Sequence, residues 1–269
     1  MDYYWYTILL LFLIGVLIGT IAVLSGMGGG VISVPLMTIL FMVSEDIAVG
    51  TSTLIILISS GFGFILLKRQ KRINIKLCLI CSIFTIIGSL ISTILFIIYP
   101  IDNYLLRLIF ACVMIYVSIN LIFRKDPASK NKNSNESENI SESFSLEFKN
   151  HKNFFKKGIP LFILAGFLAN LLGIGGGIVN TPTLHYIFQF PIYFATANST
   201  GIIFFTAIYN VIVKSMLGKV DFIMGILMGS GGLIGAYFGA KISQKISRKN
   251  LTIILAIVLL MGSIRMFFP

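Results

Sequence analysis

Charged residues are scarce in this sequence. Asp, Glu, Lys and Arg make up 12% of the 269 residues, whereas hydrophobic residues make up 57%. A soluble domain of this length could not bury so much apolar surface. Hydrophobic stretches recur from Thr7 to Phe268, and several approach the roughly 20 residues that a membrane-spanning helix needs. Because the runs are continuous rather than alternating, they predict an all-α polytopic membrane protein and not a membrane barrel.

Catalytic and metal-binding motifs are also lacking. There is no Walker loop, no HExxH and no cluster of zinc ligands. The three cysteines, Cys78, Cys81 and Cys112, fall in hydrophobic stretches of the first half, and their odd number does not suggest a disulfide framework. We therefore expect no enzyme activity, no cofactor and no metal. The spacing of Cys78 and Cys81 leaves a thiol-redox carrier open, but the second half has no cysteine to face them, which favours packing.

Positive charge is concentrated in a few places. The formal net charge is +11, and 17 of the 21 Lys and Arg residues lie in Lys68–Lys76, Arg124–Lys157 and Lys241–Lys249. Such clusters are typical of cytoplasmic loops. They do not interleave aromatic with basic residues, so we expect no nucleic-acid partner. Met1–Tyr6 lacks basic residues, and no cleavable signal is expected there.

The chain divides into two membrane units and a polar linker. Residues 1–123 form the first unit, residues 124–157 a linker rich in Ser, Asn, Glu and Lys, and residues 158–269 the second unit. The predicted elements are Thr7–Leu24, Val31–Val43, Ile47–Leu67, Ile75–Ile98 and Tyr104–Phe123, then Ile159–Leu172, Ile178–Phe190, Ala195–Val213, Phe222–Ala240 and Leu251–Phe268.

The second unit repeats the first with a constant offset of 147 residues. Gly26–Pro35 corresponds to Gly173–Pro182, with a glycine triplet and a proline at matching positions. The same offset places Ala48–Thr53 on Ala195–Thr200, and Asn74 on Asp221. Chance matching of Leu and Ile would not align all of these landmarks, so we interpret the chain as an internal duplication.

The charges predict that the two copies are inverted in the membrane. If all three basic segments are cytoplasmic, Lys214–Val220 lies outside, whereas its repeat mate Leu67–Ile73 lies inside. Inversion needs an odd number of crossings per copy. Val31–Val43 and Ile178–Phe190 span only ~20 Å as helices, too short to cross. We therefore predict two inverted repeats, each a re-entrant helical hairpin plus three transmembrane helices, with both termini outside and the linker cytoplasmic.

The glycine triplets are predicted to form the tips of these hairpins and to contact a small anion. Glycine allows a tight turn and a close approach of the backbone, and the following helix starts with unpaired N–H groups. Close helix packing and interhelical hydrogen bonding are the alternatives. The candidate substrate-binding residues, which the duplication places in matching positions, are Gly28, Gly29, Gly30, Ser33, Thr51, Ser52, Thr53, Gly175, Gly176, Gly177, Asn180, Asn198, Ser199 and Thr200.

His185 lies in the second short helix and has no titratable repeat mate, since the corresponding residue is Thr38. An ionisable residue at membrane depth is a candidate for function, here as a proton relay. The alternative is a hydrogen-bonded histidine in the packed interior.

These motifs resemble those of the sulfite exporter TauE/SafE family of membrane permeases. The resemblance covers nearly the whole chain outside Lys125–Phe155. The resemblance depends on Gly26-Met-Gly-Gly-Gly with Pro35, on Gly173-Ile-Gly-Gly-Gly with Pro182, and on the Thr-Ser-Thr and Asn-Ser-Thr triplets that end at Thr53 and Thr200. The resemblance implies transport of sulfite, sulfonates, sulfoacetate or related anions across the cytoplasmic membrane.

Taken together, the sequence predicts a secondary transporter that exports a small anion by alternating access. An importer coupled to protons or Na⁺, a thiol-redox carrier and a non-transporting scaffold are the alternatives. The expected partners are the small anionic substrate and the lipid bilayer. A homo-oligomer is a further alternative.

Overall fold

The computed structural model describes residues 5–99, 158–188 and 190–242, together with isolated positions between 102 and 119. These residues form eight helices, which are α1 (Trp5–Ser25), α2 (Gly30–Leu40), α3 (Glu45–Arg69), α4 (Ile75–Ile98), α5 (Ile159–Leu172), α6 (Gly177–Pro182), α7 (Ile192–Met216) and α8 (Phe222–Ile242). A π-helical turn, Thr183–Ile187, continues α6. The predicted linker, both termini and the predicted elements Tyr104–Phe123 and Leu251–Phe268 lie wholly or largely outside the described residues.

Five of these helices are long and apolar enough to cross a membrane. They are α1, α3, α4, α7 and α8, with 21 to 25 residues each. At 1.5 Å per residue, each reaches the ~30 Å of a bilayer core. The part of the chain that the structure describes contains no β-strand. The prediction of an all-α polytopic membrane protein is confirmed.

The short elements differ from the predicted lengths. Helix α2 has 11 residues and α6 has 6, against the 13 predicted for each, because α2 ends before Phe41 and α6 gives way to the π turn after Pro182. Helix α1 has 21 residues and is long enough to span the membrane by itself, and its repeat mate α5 is described only from Ile159 onward. The re-entrant hairpins therefore stay a prediction.

Repeat-related helices make equivalent contacts. Helix α1 packs along α8, and its mate α5 packs along α4, the mate of α8. Gly235 of α8 lies against the carbonyl of Val16, and its mate Gly88 lies against the carbonyl of Ile163, the mate of Val16. A side chain at either glycine would collide with backbone. The two halves thus exchange the same contacts reciprocally, as the two partners of a two-fold interface do.

Helices α3 and α7 occupy the centre and run antiparallel. They are the most buried of the five membrane-length helices. Near the end of α3, Gly63 faces Thr200 and Gly61 faces Phe204, both in the first half of α7. Nearer the start of α3, Thr53 shares a cavity with Asn210, in the last part of α7. Because α3 and α7 are repeat mates, the centre joins two copies of one helix in opposite directions.

Candidate functional site

The two glycine-rich segments meet at the centre of the molecule. Gly28 and Gly175 touch, since a Cβ built on either would lie 3.2 Å from the Cα of the other. Matching glycines of both segments have left-handed backbone conformations that favour glycine, and these are Gly26, Gly28 and Gly29, and Gly173, Gly175 and Gly176. The sequence therefore repeats a backbone shape as well as a composition, and the structure brings the two copies together.

Serine hydroxyl groups tie each glycine segment to the opposite half. The Ser52 hydroxyl donates to the carbonyl oxygen of Gly173 at 2.8 Å. Its repeat mate Ser199 donates to the carbonyl oxygen of Gly26, the mate of Gly173, also at 2.8 Å. The pair of bonds is reciprocal, so the duplicated serines join the two halves.

A second reciprocal pair involves the neighbouring candidates. The backbone N–H of Asn74 donates to the Asn198 side-chain oxygen at 2.8 Å. The backbone N–H of its mate Asp221 donates to the Thr51 hydroxyl oxygen at 2.9 Å. Thr51 and Asn198 are also repeat mates. These polar side chains therefore make the interhelical hydrogen bonds that the sequence left as an alternative, and their contact with an anion stays a prediction.

The remaining polar candidates bond within their own segments. The hydroxyl groups of Thr53 and Thr200 donate to the carbonyls of Gly50 and Thr196 at 2.6 and 3.0 Å. The Ser33 hydroxyl donates to Gly30 at 3.4 Å. The Asn180 side-chain oxygen is buried and has no hydrogen-bond partner among the described residues. Gly30 and Gly177 lie against the carbonyls of Gly173 and Gly26, so neither has room for a side chain.

A small cavity of about 10 Å³ lies beside the Gly175 tip, between α3 and α7. This is room for roughly one water molecule. Most of its wall is apolar, and its polar groups are two threonines and an asparagine. The lining residues are Thr53, Ile56, Ala169, Gly175, Ile203, Thr206, Ala207 and Asn210. Of the predicted candidates, the cavity brings together Thr53 and Gly175.

Thr206 and Asn210 are the lining polar residues that sequence reasoning missed. Both are buried in α7, and the Thr206 hydroxyl is 2.6 Å from the hydroxyl of Thr85. They are four residues apart, which places them on one face of the helix. That spacing of polar residues in an apolar helix was a usable signal. The duplication does not reveal Asn210, because its repeat mate is Gly63.

His185 lies apart from the residues that line the cavity. It is buried in the π turn, and its Nδ1 is 2.8 Å from the carbonyl oxygen of Phe190. Its Nε2 has no hydrogen-bond partner among the described residues. The ring contacts Tyr186 edge to face, at 4.6 Å between centroids. The proton-relay role stays a prediction.

The three cysteines are free thiols in the described part of the chain. Cys78 and Cys81 are buried free thiols and Cys112 is exposed. The Cys78 sulfur packs 3.5 Å from the backbone and side-chain oxygens of Asn198. Within the described ranges, no group of His, Cys, Asp and Glu side chains could hold a metal ion.

Matching contacts also connect the outer parts of the two halves. The ammonium group of Lys219, in the loop after α7, pairs with the Asp46 carboxylate at the start of α3. Their repeat mates are Arg72 and Tyr193. The Arg72 guanidinium donates to the Tyr193 carbonyl at 3.0 Å and lies 5.7 Å from the centre of its ring. Each contact joins the start of one central helix to the loop after the other.

Comparison with known proteins agrees with this architecture. The family model for the sulfite exporter TauE/SafE matches residues 11–266. The chain is 27% identical to the probable membrane transporter protein YunE of Bacillus subtilis, over 94% of both chains. It is 29% identical to a probable membrane transporter protein of Methanocaldococcus jannaschii, over 93% of this chain and 91% of the relative. No solved structure matches the chain. Because the family model covers almost its whole length, the chain belongs to the sulfite exporter TauE/SafE family of membrane transporters.

Proposed function

We propose that this protein is a secondary transporter that exports a small anion, such as sulfite, a sulfonate or a related organic anion, by alternating access around its two glycine tips. The observation that carries the proposal is the meeting of Gly28 and Gly175 beside a cavity between two antiparallel repeat mates. The family name supports transport of such an anion, and the names of the relatives support membrane transport.

The chemistry of the tips suits an anion. Glycines have no side chain to cover their backbone N–H groups, and Gly28 and Gly29 have left-handed backbone conformations. Helix α2 begins at Gly30, the last glycine of its triplet. The start of a helix carries a partial positive charge and unpaired N–H groups. Backbone donors of this kind bind oxyanions without a fixed positive charge, so the anion can also leave.

The closed centre supports alternating access. A cavity with room for roughly one water molecule cannot hold sulfite or a larger anion, so the passage must open for transport. The matching contacts Lys219–Asp46 and Arg72–Tyr193 lie at opposite ends of the antiparallel pair α3 and α7. If the repeats are inverted, one contact faces each side of the membrane. Opening one while the other stays closed would then expose the tips to one side at a time.

The membrane potential favours export. The interior of a cell is electrically negative, so the free energy of a monovalent anion falls by about 2.3 kcal/mol per 100 mV when it leaves. Export therefore needs no coupled ion, whereas import would need one.

Binding and flux measurements test this proposal. Purified protein is screened for thermal stabilisation by sulfite, thiosulfate, sulfate, taurine and sulfoacetate, and the stabilising anions are then followed in proteoliposomes with an imposed potential. We expect at least one anion to stabilise the protein and to move faster when its starting side is made negative. If none of the five is bound or moved, or if the flux of a net charge ignores voltage, the proposal is wrong.

Thr53 provides a variant with a matched control. Thr53→Val keeps the shape of the side chain that lines the cavity and removes its hydroxyl. Thr20→Val in α1 removes a hydroxyl that also bonds a backbone carbonyl of its own helix, at 2.7 Å, and that does not line the cavity. We expect Thr53→Val to lower the flux by roughly tenfold, as loss of a hydrogen bond to a charged ligand does, and Thr20→Val to leave it unchanged.

A further inference from the structure

Polar residues on one face of α7 extend from the central cavity toward the end of the helix. Thr206, Asn210 and Lys214 follow one another at intervals of four residues, which places them in a row along the same face. Thr206 and Asn210 line the cavity, and Lys214 lies one turn further, about 6 Å along the axis. The row therefore leads from the Gly175 tip toward the side where Lys219 pairs with Asp46.

This row is absent from the other copy of the repeat. The residues that correspond to Thr206, Asn210 and Lys214 are Ser59, Gly63 and Leu67. The duplicated polar side chains Ser52 and Ser199, and Thr51 and Asn198, make reciprocal hydrogen bonds between the two halves. An amide and an ammonium group found in only one copy need another explanation, because the repeat packs at this place without them.

When protonated, Lys214 places a positive charge in the interior, and no carboxylate among the described residues neutralises it through a salt bridge. Only 4% of its surface is exposed, and its ammonium group lies 4.9 Å from the centre of the Phe96 ring. Asp46 attracts Lys214, but its carboxylate is already paired with Lys219, which repels Lys214. The three charges sum to one positive charge. A buried surplus charge is costly, and a bound anion would offset it.

Asn210 supplies a second polar group at the inner end of the row. It is 3% exposed, and its side-chain oxygen has no hydrogen-bond partner among the described residues. The oxygen and nitrogen of such an amide can exchange places by a flip. In the orientation that turns the NH₂ group to the adjoining cavity, the amide can donate a hydrogen bond to an oxyanion there.

We propose that Asn210 and Lys214 form an anion-binding site on one side of the glycine tips, through which the substrate passes. Its ligand is a small oxyanion. The oxyanion accepts a hydrogen bond from the Asn210 amide and is attracted by the positive charge of Lys214. This proposal rests on the proposed transport function. It places a positive group on only one side of the glycine tips.

The test measures sulfite flux into proteoliposomes as a function of sulfite concentration for the wild type and for Lys214→Met, Lys214→Arg and Lys241→Met. Methionine matches the length of the buried stem without its charge, and arginine keeps the charge. Lys241 is exposed at the end of α8 over Tyr237, so its replacement removes one positive charge elsewhere. We expect Lys214→Met to raise KM roughly tenfold or more, since a charged hydrogen bond contributes about that factor. Lys214→Arg and Lys241→Met should stay close to the wild type.

A KM for Lys214→Met equal to that of the wild type would overturn the site while the transport function stands. If the wild type moves another of the five anions but not sulfite, the same variants are compared with that anion. A wild-type protein that moves none of the five would instead overturn the function and the site with it. If Lys214→Met is not monodisperse in detergent, Asn210→Ala is tested by the thermal stabilisation that sulfite gives. We expect that stabilisation to shrink in Asn210→Ala, and an unchanged value would contradict the site.

Discussion

At the scale of single residues, the hydroxyl groups of Ser52 and Ser199 connect the two halves by reciprocal hydrogen bonds. Each donates to a glycine carbonyl of the opposite copy at 2.8 Å. The duplicated position was predictable from the sequence, but the acceptor was not. A hydroxyl group in an apolar helix can donate to a substrate, to its own helix or to a neighbour, and only the packing of the helices selects one of these.

The serines give a prediction about stability. Replacing Ser52 or Ser199 by alanine should each lower the free energy of unfolding by about 1 kcal/mol, because a buried carbonyl loses its donor. The two losses should be similar, since the Ser52 hydroxyl also lies 2.7 Å from the Val49 carbonyl of its own helix and the Gly26 carbonyl that Ser199 contacts also accepts from Thr181 at 3.1 Å. Thermal unfolding in detergent measures the effect.

Ser230→Ala is the matched control, because the Ser230 hydroxyl bonds only the Leu227 carbonyl of its own helix, at 2.8 Å, among the described residues. It should leave the unfolding temperature nearly unchanged. Equal losses in all three variants would mean that the bonds between the halves have no special role.

At the scale of elements, close backbone contact holds α1 against α8 and α4 against α5. The glycines at these contacts lie directly against carbonyl groups of the facing helix. In lipid no hydrophobic force drives helices together, so association depends on such close packing and on hydrogen bonds. The stripe of small residues in α8 was visible in the sequence, but its facing helix was not.

Two glycines of α8 test this packing. Gly235→Ala would place a methyl group on the Val16 backbone, which cannot move aside without separating the helices, whereas the nearest atom to a Cβ at Gly232 is the Ser59 Cβ at 3.3 Å. We expect Gly235→Ala to lower stability by roughly 1–3 kcal/mol or more, and Gly232→Ala to change it little. Thermal unfolding and elution as a single species measure both. Equal behaviour of the two variants would contradict the packing.

The bounds of the elements show what a sequence can and cannot determine here. Hydropathy predicted α4 at Ile75–Ile98 as found, because a polar loop precedes it and Asn74 caps its start. Hydropathy predicted α6 and the π turn after it as one helix, because hydropathy does not distinguish an α-helix from the π turn that begins after Pro182. The candidate residues could also be predicted only in part from the sequence. Duplication identified the glycine segments that the structure brings together, whereas Asn210 and Lys214, which we propose as an anion site, occur in one copy only.

At the scale of the whole molecule, the account rests on two copies of one unit joined in opposite directions. The antiparallel packing of α3 and α7 supports the inverted arrangement that the charges predict. Inversion matters for function, because exchanging the conformations of two inverted copies turns an inward-open passage into an outward-open one. Two copies of the same orientation could not alternate in this way.

Labelling of two matched loop positions tests the orientation most directly. Lys71 and Gly218 are repeat mates that follow α3 and α7, and both have left-handed backbone angles, with φ of 57° and 67°. Lys71 shows that this conformation accepts a side chain, and a Cβ at Gly218 would meet no atom within 4 Å. A single cysteine is placed at each position in a chain whose native cysteines are replaced by alanine, and cells are treated with a membrane-impermeant maleimide. We predict that Gly218→Cys reacts in intact cells and that Lys71→Cys reacts only after permeabilisation. Reaction of both from the same side would contradict the inverted arrangement and the alternating access built on it.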